Sequence, residues 1–420
     1  MKIFFHNDTL VKKDAAKVPS SIKVCMHVLG KACTDMRVMR TATALVEAGF
    51  AVSIVDIECE SNKPVEEDIS GVRVTHVITP NWYTSRSFKP WFLIQAVQLF
   101  IRSTLRLIRA PADIYHAHDT TALPACYLAA LLRQKPLIYD AHELPLSDEM
   151  NTTRWRGLIT LSSRLLSIIV PHCAGVITVS PPIAQEMRNR YHYPDISLVR
   201  NVPPYQAVPR SDLLWQHFGL SPDIRIALYQ GGFYANRGLD RLIRAAAFLE
   251  RDNMIVLMGP DSEGIRPQLE GLIASEGVTD RVKIMPAVSY AELLNWTASA
   301  DIGLIIYTPE HSLNVQMCLP NKLFEYLMVG LPILASPLDA VSDITRTYDV
   351  GQIVTSLTPA DVGGAINAML ADNAALARMR RNALDAAQYE FNWEKEKQQL
   401  IRLYHEIQSR TPVKNRKCYC

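Results

Sequence analysis

Several short stretches carry residue types suited to a phosphorylated, hydroxyl-rich ligand. In "CLPNKLFEYLMVGLPILAS", residues 318–336, Asn321, Lys322 and Glu325 open an otherwise apolar run. Asn321 suits a helix cap, which sets Lys322 and Glu325 three apart on one face of the first turn. Leu323, Phe324, Leu327 and Met328 then face the core, and Gly330 ends the helix. The free N–H groups of a helix start attract phosphate, and Lys322 adds a full positive charge there. Glu325, one turn deeper, suits the paired hydroxyls of a ribose; phosphate and ribose together make a nucleotide. The plainer alternative is a surface ion pair contributing about 0.2–0.5 kcal/mol.

Other polar residues stand where strands end. "YQGGFYANRG" has Gly231 and Gly232, which let a backbone approach a ligand closely, and Arg237 opening the next helix. This loop is not G-x-G-x-x-G, and no G-x-x-x-x-G-K-[ST] occurs, so dehydrogenase and P-loop kinase chemistry lose support. "LGKACTDMRV" places Asp35 and Arg37 at a helix start, either as ligand groups or as a capping aspartate with a solvated arginine. "YHAHD" presents His116, His118 and Asp119, and "YDAHEL" presents His142 and Glu143. His116 and His118 share a strand face. Together these groups could ligate a metal, or serve as acid/base and polar ligand groups.

The elements that must position these residues alternate regularly. "IKVCMHVL", "AVSIVDI", "DIYHAH", "PLIYDAH" and "GVITVS" have strand character, each followed or preceded by a helical pattern such as "DMRVMRTATALVEAG". Strand–helix–strand in series means right-handed βαβ units and parallel sheets. The pattern breaks at "VPPYQAVPRSD", with three prolines, and restarts with "RIALYQGG" and "NMIVLMG". The expected organisation is α/β, with two doubly wound parallel-sheet domains over 1–203 and 204–388. A terminal helix and a frayed tail follow over 389–420.

Composition narrows the class. The 420 residues are 48% hydrophobic and 20% charged, with a formal net charge of +2. That is globular and carries no basic excess, so nucleic acid is not an expected partner. Eight cysteines form no C-x-x-C pair, and the start of the chain resembles no signal peptide. A cytoplasmic setting is expected. No run reaches the roughly 18 apolar residues of a membrane span.

Taken together, "PNKLFEYLMVGLPILAS", "DMRVMRTATALVEAG", "ADIYHAHDTTALPA", "LIYDAHEL", "GVITVSPPIAQEM", "LVRNVP" and "YQGGFYANRGLDRLIRA" resemble the retaining GT-B glycosyltransferases of family four. The resemblance covers roughly residues 22–405. It implies two Rossmann-like domains with a deep interdomain cleft, and a terminal helix that crosses back to the first. It implies that Glu325 meets the ribose of a nucleotide-sugar while Lys322 and Arg237 neutralise its diphosphate, with Asn321, Gly231 and Gly232 on the donor side. His142 would lie near the transferred sugar, Asp35 and Arg37 near donor phosphate, and His118, Asp119 and Glu143 on the acceptor side. No Asp-x-Asp occurs, so the implied chemistry is metal-independent, cofactor-free, retaining transfer from a nucleoside-diphosphate sugar, with UDP the commonest. The acceptor would be a sugar, glycolipid or small-molecule hydroxyl.

Two positions depart from the family pattern. Met317 stands where a second glutamate usually meets the donor sugar, and Gly232 stands where many members carry an arginine. Alternatives are a sugar-nucleotide epimerase on the same fold, a His/Asp metal-dependent hydrolase and a non-catalytic nucleotide-sugar-binding homologue. Separately, residues 86–110 form an apolar helix with a stripe of Gln95, Gln98, Arg102, Arg106 and Arg109, and with Trp91 and Phe92 at one end. That pattern suits either a core helix with a wet stripe or peripheral contact with the inner face of a membrane.

Overall fold

The computed structural model describes residues 21–79, 90–146 and 156–410. Residues 1–20, residues 86–89, the side chains of Trp91 and Phe92, and the tail from 411 lie outside them.

In the first domain, β1 (Lys23–His27), β2 (Ala51–Glu58), β3 (Glu66–Ile69), β4 (Val72–Ile78), β5 (Ile114–His118), β6 (Leu137–Ala141), β7 (Gly175–Thr178) and β8 (Ile196–Leu198) form one sheet. Its order is β3-β4-β2-β1-β5-β6-β7-β8, parallel except for the β3–β4 pair. The helices are α1 (Met36–Glu47), α2 (Pro90–Arg109), α3 (Asp119–Arg133), α4 (Arg156–Ile169) and α5 (Pro181–Tyr191). In the second domain, β9 (Arg225–Gln230), β10 (Asn253–Met258), β11 (Val282–Met285), β12 (Ile302–Ile305), β13 (Ile333–Ala335) and β14 (Gly351–Ile353) are all parallel, in the order β11-β10-β9-β12-β13-β14. Its helices are α6 (Leu213–Phe218), α7 (Leu239–Ala245), α8 (Arg266–Ser275), α9 (Leu293–Thr297), α10 (Leu313–Met317), α11 (Asn321–Met328), α12 (Asp339–Thr347), α13 (Pro359–Ala371) and α14 (Asn373–Tyr389). The chain ends in α15 (Trp393–Arg410).

Helices cover both faces of each sheet, so the central strands are apolar along their whole length rather than alternating. Every residue of β5, β6, β10 and β12 is buried. The strand order reverses between β1 and β5 in one sheet and between β9 and β12 in the other. At such a reversal neighbouring connections leave in opposite directions and open a crevice beyond the strand ends. Just beyond the ends of these four strands stand Asp35, Asp119, Gly231 and Tyr307, so two crevices face each other.

The last helix belongs to the first domain. Leu400, Leu403, Tyr404 and Ile407 of α15 pack with Val38, Ala42 and Leu45 of α1 in one apolar cluster. Its entry is fixed by Trp393 N–H donating to Pro203 O at 3.0 Å, and by Arg200 with Glu396 at 2.8 Å. Leu400→Ala removes a side chain only 1% exposed and should cost about 2 to 5 kcal/mol by urea denaturation. A loss under about 0.5 kcal/mol, the size of a surface change, would mean that α15 adds little to the first domain.

Candidate active site

The second-domain wall is built around α11. Its cap is Pro320, not Asn321: Asn321 is the first helical residue, and its Oδ1 accepts from Asn201 Nδ2 at 3.1 Å across the linker. The expected cap is lost because proline already sets the entry and Asn201 offers a partner 120 residues away. Lys322 is buried, Glu325 is half-buried, and they form no ion pair with each other, which removes the surface-pair alternative. Lys322 is 6% exposed, and its Nζ has no hydrogen-bond partner among the described residues. It lies 3.5 Å from the ring centroid of Tyr229 and 5.2 Å from that of Tyr307. Arg237 stacks on the same Tyr307 at 4.5 Å, so two cations share one aromatic wall. Burial and then Arg237 hold the Lys322 ammonium well below the ordinary lysine value. Arg237 does not open a long helix as expected. It ends a single turn, Ala235–Arg237, and Gly238 separates it from α7.

Gly231 has φ +132, and a Cβ there would meet Lys322 Nζ at 3.1 Å. Glycine therefore keeps the space beside the ammonium clear. Gly232 accepts from the Tyr229 hydroxyl at 2.8 Å and lines the same cavity. Glu325 accepts from Gln230 Nε2 at 2.5 Å, and Gln230 in turn accepts from Thr297. Burial raises the Glu325 carboxyl above its usual value.

The first-domain wall is held by buried charge. Asp35 caps α1, accepting from the N–H groups of Arg37 at 3.0 Å and Val38 at 3.1 Å. Arg37 is neither solvated nor free to meet donor phosphate. Its Nε and Nη2 donate to the two oxygens of Asp140 at 2.9 and 2.7 Å, and its Nη1 donates to Val199 O at 2.8 Å. Burial would raise the Asp140 carboxyl, but Arg37 and then His142 hold it well below the usual carboxylate range.

His142 sits between two carboxylates. Its Nδ1 is 3.2 Å from Asp119 Oδ2, and its Nε2 is 3.5 Å from Asp140 Oδ2. Burial alone would lower it, but Asp140 and Asp119 outweigh that and push the imidazole up to about 10. Asp119 reaches this position with φ +64, a left-handed conformation that an aspartate adopts at some cost. His118 is fully buried behind His142, 3.1 Å from it, and stacks on His116, whose Nδ1 lies 2.6 Å from the Tyr404 hydroxyl. The His118 side chain is buried, but the residue borders the same pocket as Asp119, which is the more exposed of the two. Glu143 accepts from Asn314 Nδ2 of the second domain at 3.0 Å and lines the cavity between the domains.

His116, His118 and Asp140 lie close enough to share an ion. A cation there would stand against the Arg37 guanidinium, which already occupies both Asp140 oxygens, so the geometry favours an anchoring cluster.

Between the walls lies a cavity of about 530 Å³, lined by Asp35, His142, Gly231, Arg237, Lys322 and Glu325 among others. A second pocket, about 760 Å³, shares Asp35, Arg37, Asn201 and Asn321 with it and adds Lys31, Thr34, Asp119 and Thr121. Met317 points away from both: it packs against the first-domain core, and its carbonyl accepts from Ser180 at 2.7 Å. The sequence reading missed Asp140, Tyr229, Gln230 and Tyr307. Asp140 alone left a signal, an aspartate inside the apolar strand "LIYDA".

The family description Glycosyltransferase Family 4 matches residues 35–202, and Glycosyl transferases group 1 matches 224–372. A D-inositol 3-phosphate glycosyltransferase of Xylanimonas cellulosilytica is 23% identical, covering 90% of this chain and 93% of that protein. An alpha-D-kanosaminyltransferase of Streptomyces kanamyceticus is 25% identical over 73% of this chain and 81% of its own. Among solved structures, sucrose-phosphate synthase from Thermosynechococcus elongatus superimposes with TM-score 0.77 at 16% identity, covering 93% of this chain and all of that one. Anabaena HepE in complex with UDP and glucose gives 0.68 at 15% identity, over 92% and 100%.

Arg37→Met leaves Asp140 buried without its main partner, which should cost about 3 to 5 kcal/mol in chemical denaturation. Unchanged stability with lost nucleotide binding would instead make Arg37 a ligand. The His142 value, raised in the folded state above about 6.5, gives stability that is full below that pH and fades as pH climbs towards 10. The stability gap between wild type and His142→Gln should therefore narrow steadily from pH 6 to pH 10 in thermal melts. A gap that widens over that range would mean that His142 is neutral when folded.

Proposed function

The chain belongs to glycosyltransferase family 4 and has the GT-B fold, and we propose that it transfers a hexose from a nucleoside-diphosphate donor, a UDP-sugar, to an acceptor hydroxyl with retention. Lys322 carries this reading. A buried ammonium with no hydrogen-bond partner is costly unless something anionic meets it, and Arg237 beside it deepens the deficit of negative charge. A diphosphate supplies that charge. Glu325 then accepts from the ribose hydroxyls. The choice of UDP draws support from HepE, a protein of similar fold whose structure is with UDP and glucose.

In the proposed step the acceptor oxygen bonds to the anomeric carbon on the face from which the diphosphate departs. The bond from that carbon to the phosphate oxygen breaks, and this oxygen takes the acceptor's proton. Lys322 and Arg237 stabilise the charge growing on the leaving group. His142, an imidazolium clamped by Asp119 and Asp140, is a poor proton acceptor, which favours the phosphate in that role. Asp119 and the second pocket receive the acceptor, a sugar, glycolipid or small molecule in glycan biosynthesis. With two protein cations on the diphosphate, the proposed reaction needs neither metal nor cofactor. Cys25, Cys33, Cys59, Cys126 and Cys173 are free thiols, which suits a cytoplasmic setting.

Lys322→Ala should lower kcat as well as nucleotide affinity, about 2 to 4 kcal/mol in transition-state terms. Glu325→Gln should mainly raise the donor KM, by about 1 to 3 kcal/mol. Donor turnover should survive chelator. Zinc present in stoichiometric amount, with activity lost on its removal, would turn the reading to metal hydrolysis. Variants that bind nucleotide diphosphates normally and differ only in melting temperature would overturn the nucleotide role.

A further inference from the structure

We propose that the outer faces of α2 and α4 together form a docking surface for an anionic lipid bilayer. The sequence alone suggests a single polar stripe on α2, but the folded helix divides its outward half into two parallel strips. Ile94, Val97, Ile101 and Leu105 follow one another at helical spacing, and all are exposed. Beside them on the same outward half run Gln98, Arg102 and Arg109, while Leu99, Ser103 and Leu107 face the core. The pattern repeats on α4, a helix the sequence reading did not single out. There Leu161, Leu165 and Ile168 form an exposed apolar strip flanked by Arg164, over a buried Leu166 and Ile169.

Both helices pack on the same face of the first sheet, with α3 between them, since Leu99, Leu107, Leu123, Cys126, Leu166 and Ile169 share one core cluster. Their outer sides therefore look the same way, and α3 adds exposed Leu131 and Leu132 to that side. Neither α2 nor α4 carries an aspartate or glutamate.

Charge decides the occupant. A second copy of the chain docked face to face would bring Arg102, Arg106 and Arg109 against positive charge of its own kind, which disfavours that pairing. A nucleic acid would use the arginines but leave the apolar strips in contact with phosphate and water. A bilayer rich in anionic headgroups uses both: the arginines meet headgroup phosphates while the apolar strips enter the acyl boundary. No helix of the described residues is long and apolar enough to cross, so the contact lies in the plane of the membrane surface.

The test is co-sedimentation of the full chain with vesicles of phosphatidylcholine alone or mixed with phosphatidylglycerol. Wild type should bind the mixed vesicles and leave the neutral ones. Arg102→Gln/Arg106→Gln/Arg109→Gln should weaken that binding roughly a hundredfold, about fivefold for each charge near the surface. Leu161→Asn/Leu165→Asn should weaken it about tenfold or more, with the melting temperature unchanged because both positions are exposed. No binding by wild type, or equal binding of all variants to both vesicles, overturns the proposal. So does a dimer in light scattering that disappears in Leu161→Asn/Leu165→Asn, which gives this face to a second copy.

Discussion

The buried pair of Arg37 and Asp140 organises the first-domain wall, because it ties three distant segments to one point. Arg37 comes from the first turn of α1, Asp140 from β6, and Val199 O from the chain just beyond β8. The arginine keeps Asp140 ionised in a place where burial alone would favour the neutral acid. An ionised Asp140 then makes His142 a cation, and that cation is held from its other side by Asp119. Charge alternates in sign along this series, so each group depends on its neighbour for its protonation state.

The opposite wall works by the reverse principle. On the first domain, the charges in the series from Arg37 to Asp119 each have a partner of opposite sign. On the second, Lys322 and Arg237 lie against aromatic rings with no carboxylate in contact with the lysine. A satisfied network gives a rigid, predefined surface. An unsatisfied one gives affinity, because the missing counter-charge must arrive with a ligand. The cleft therefore joins a finished wall to an incomplete one.

Much of the scaffold was legible in the sequence for a simple reason. Strands buried on both faces leave apolar runs, helices leave amphipathic ones, and glycines mark their ends, all within a dozen residues. The candidate positions were legible too, since parallel sheets place ligands beyond strand ends. What escaped was which polar group meets which. Arg37 finds Asp140 across 103 residues, Glu143 finds Asn314 across 171, and Asn321 finds Asn201 across 120. Spacing along one helix told which face Lys322 and Glu325 share, but not that Tyr229 and Gln230 would close over them. Asp140 could have been found by asking why an aspartate should stand inside a strand of otherwise buried residues.

The return of α15 to the first domain has a mechanical consequence. The polypeptide passes between the domains twice, once near Pro203 and again just before Trp393, and the two passages touch through the Trp393–Pro203 hydrogen bond. A body joined to another by one thread can swivel in any direction, whereas two adjoining threads leave chiefly rotation about the line through them. Opening and shutting is thus the easy movement, and twisting or sliding the difficult one. For the same reason the gene cannot simply be cut at the midpoint: a fragment ending before α15 would expose the apolar surface of α1 that this helix covers.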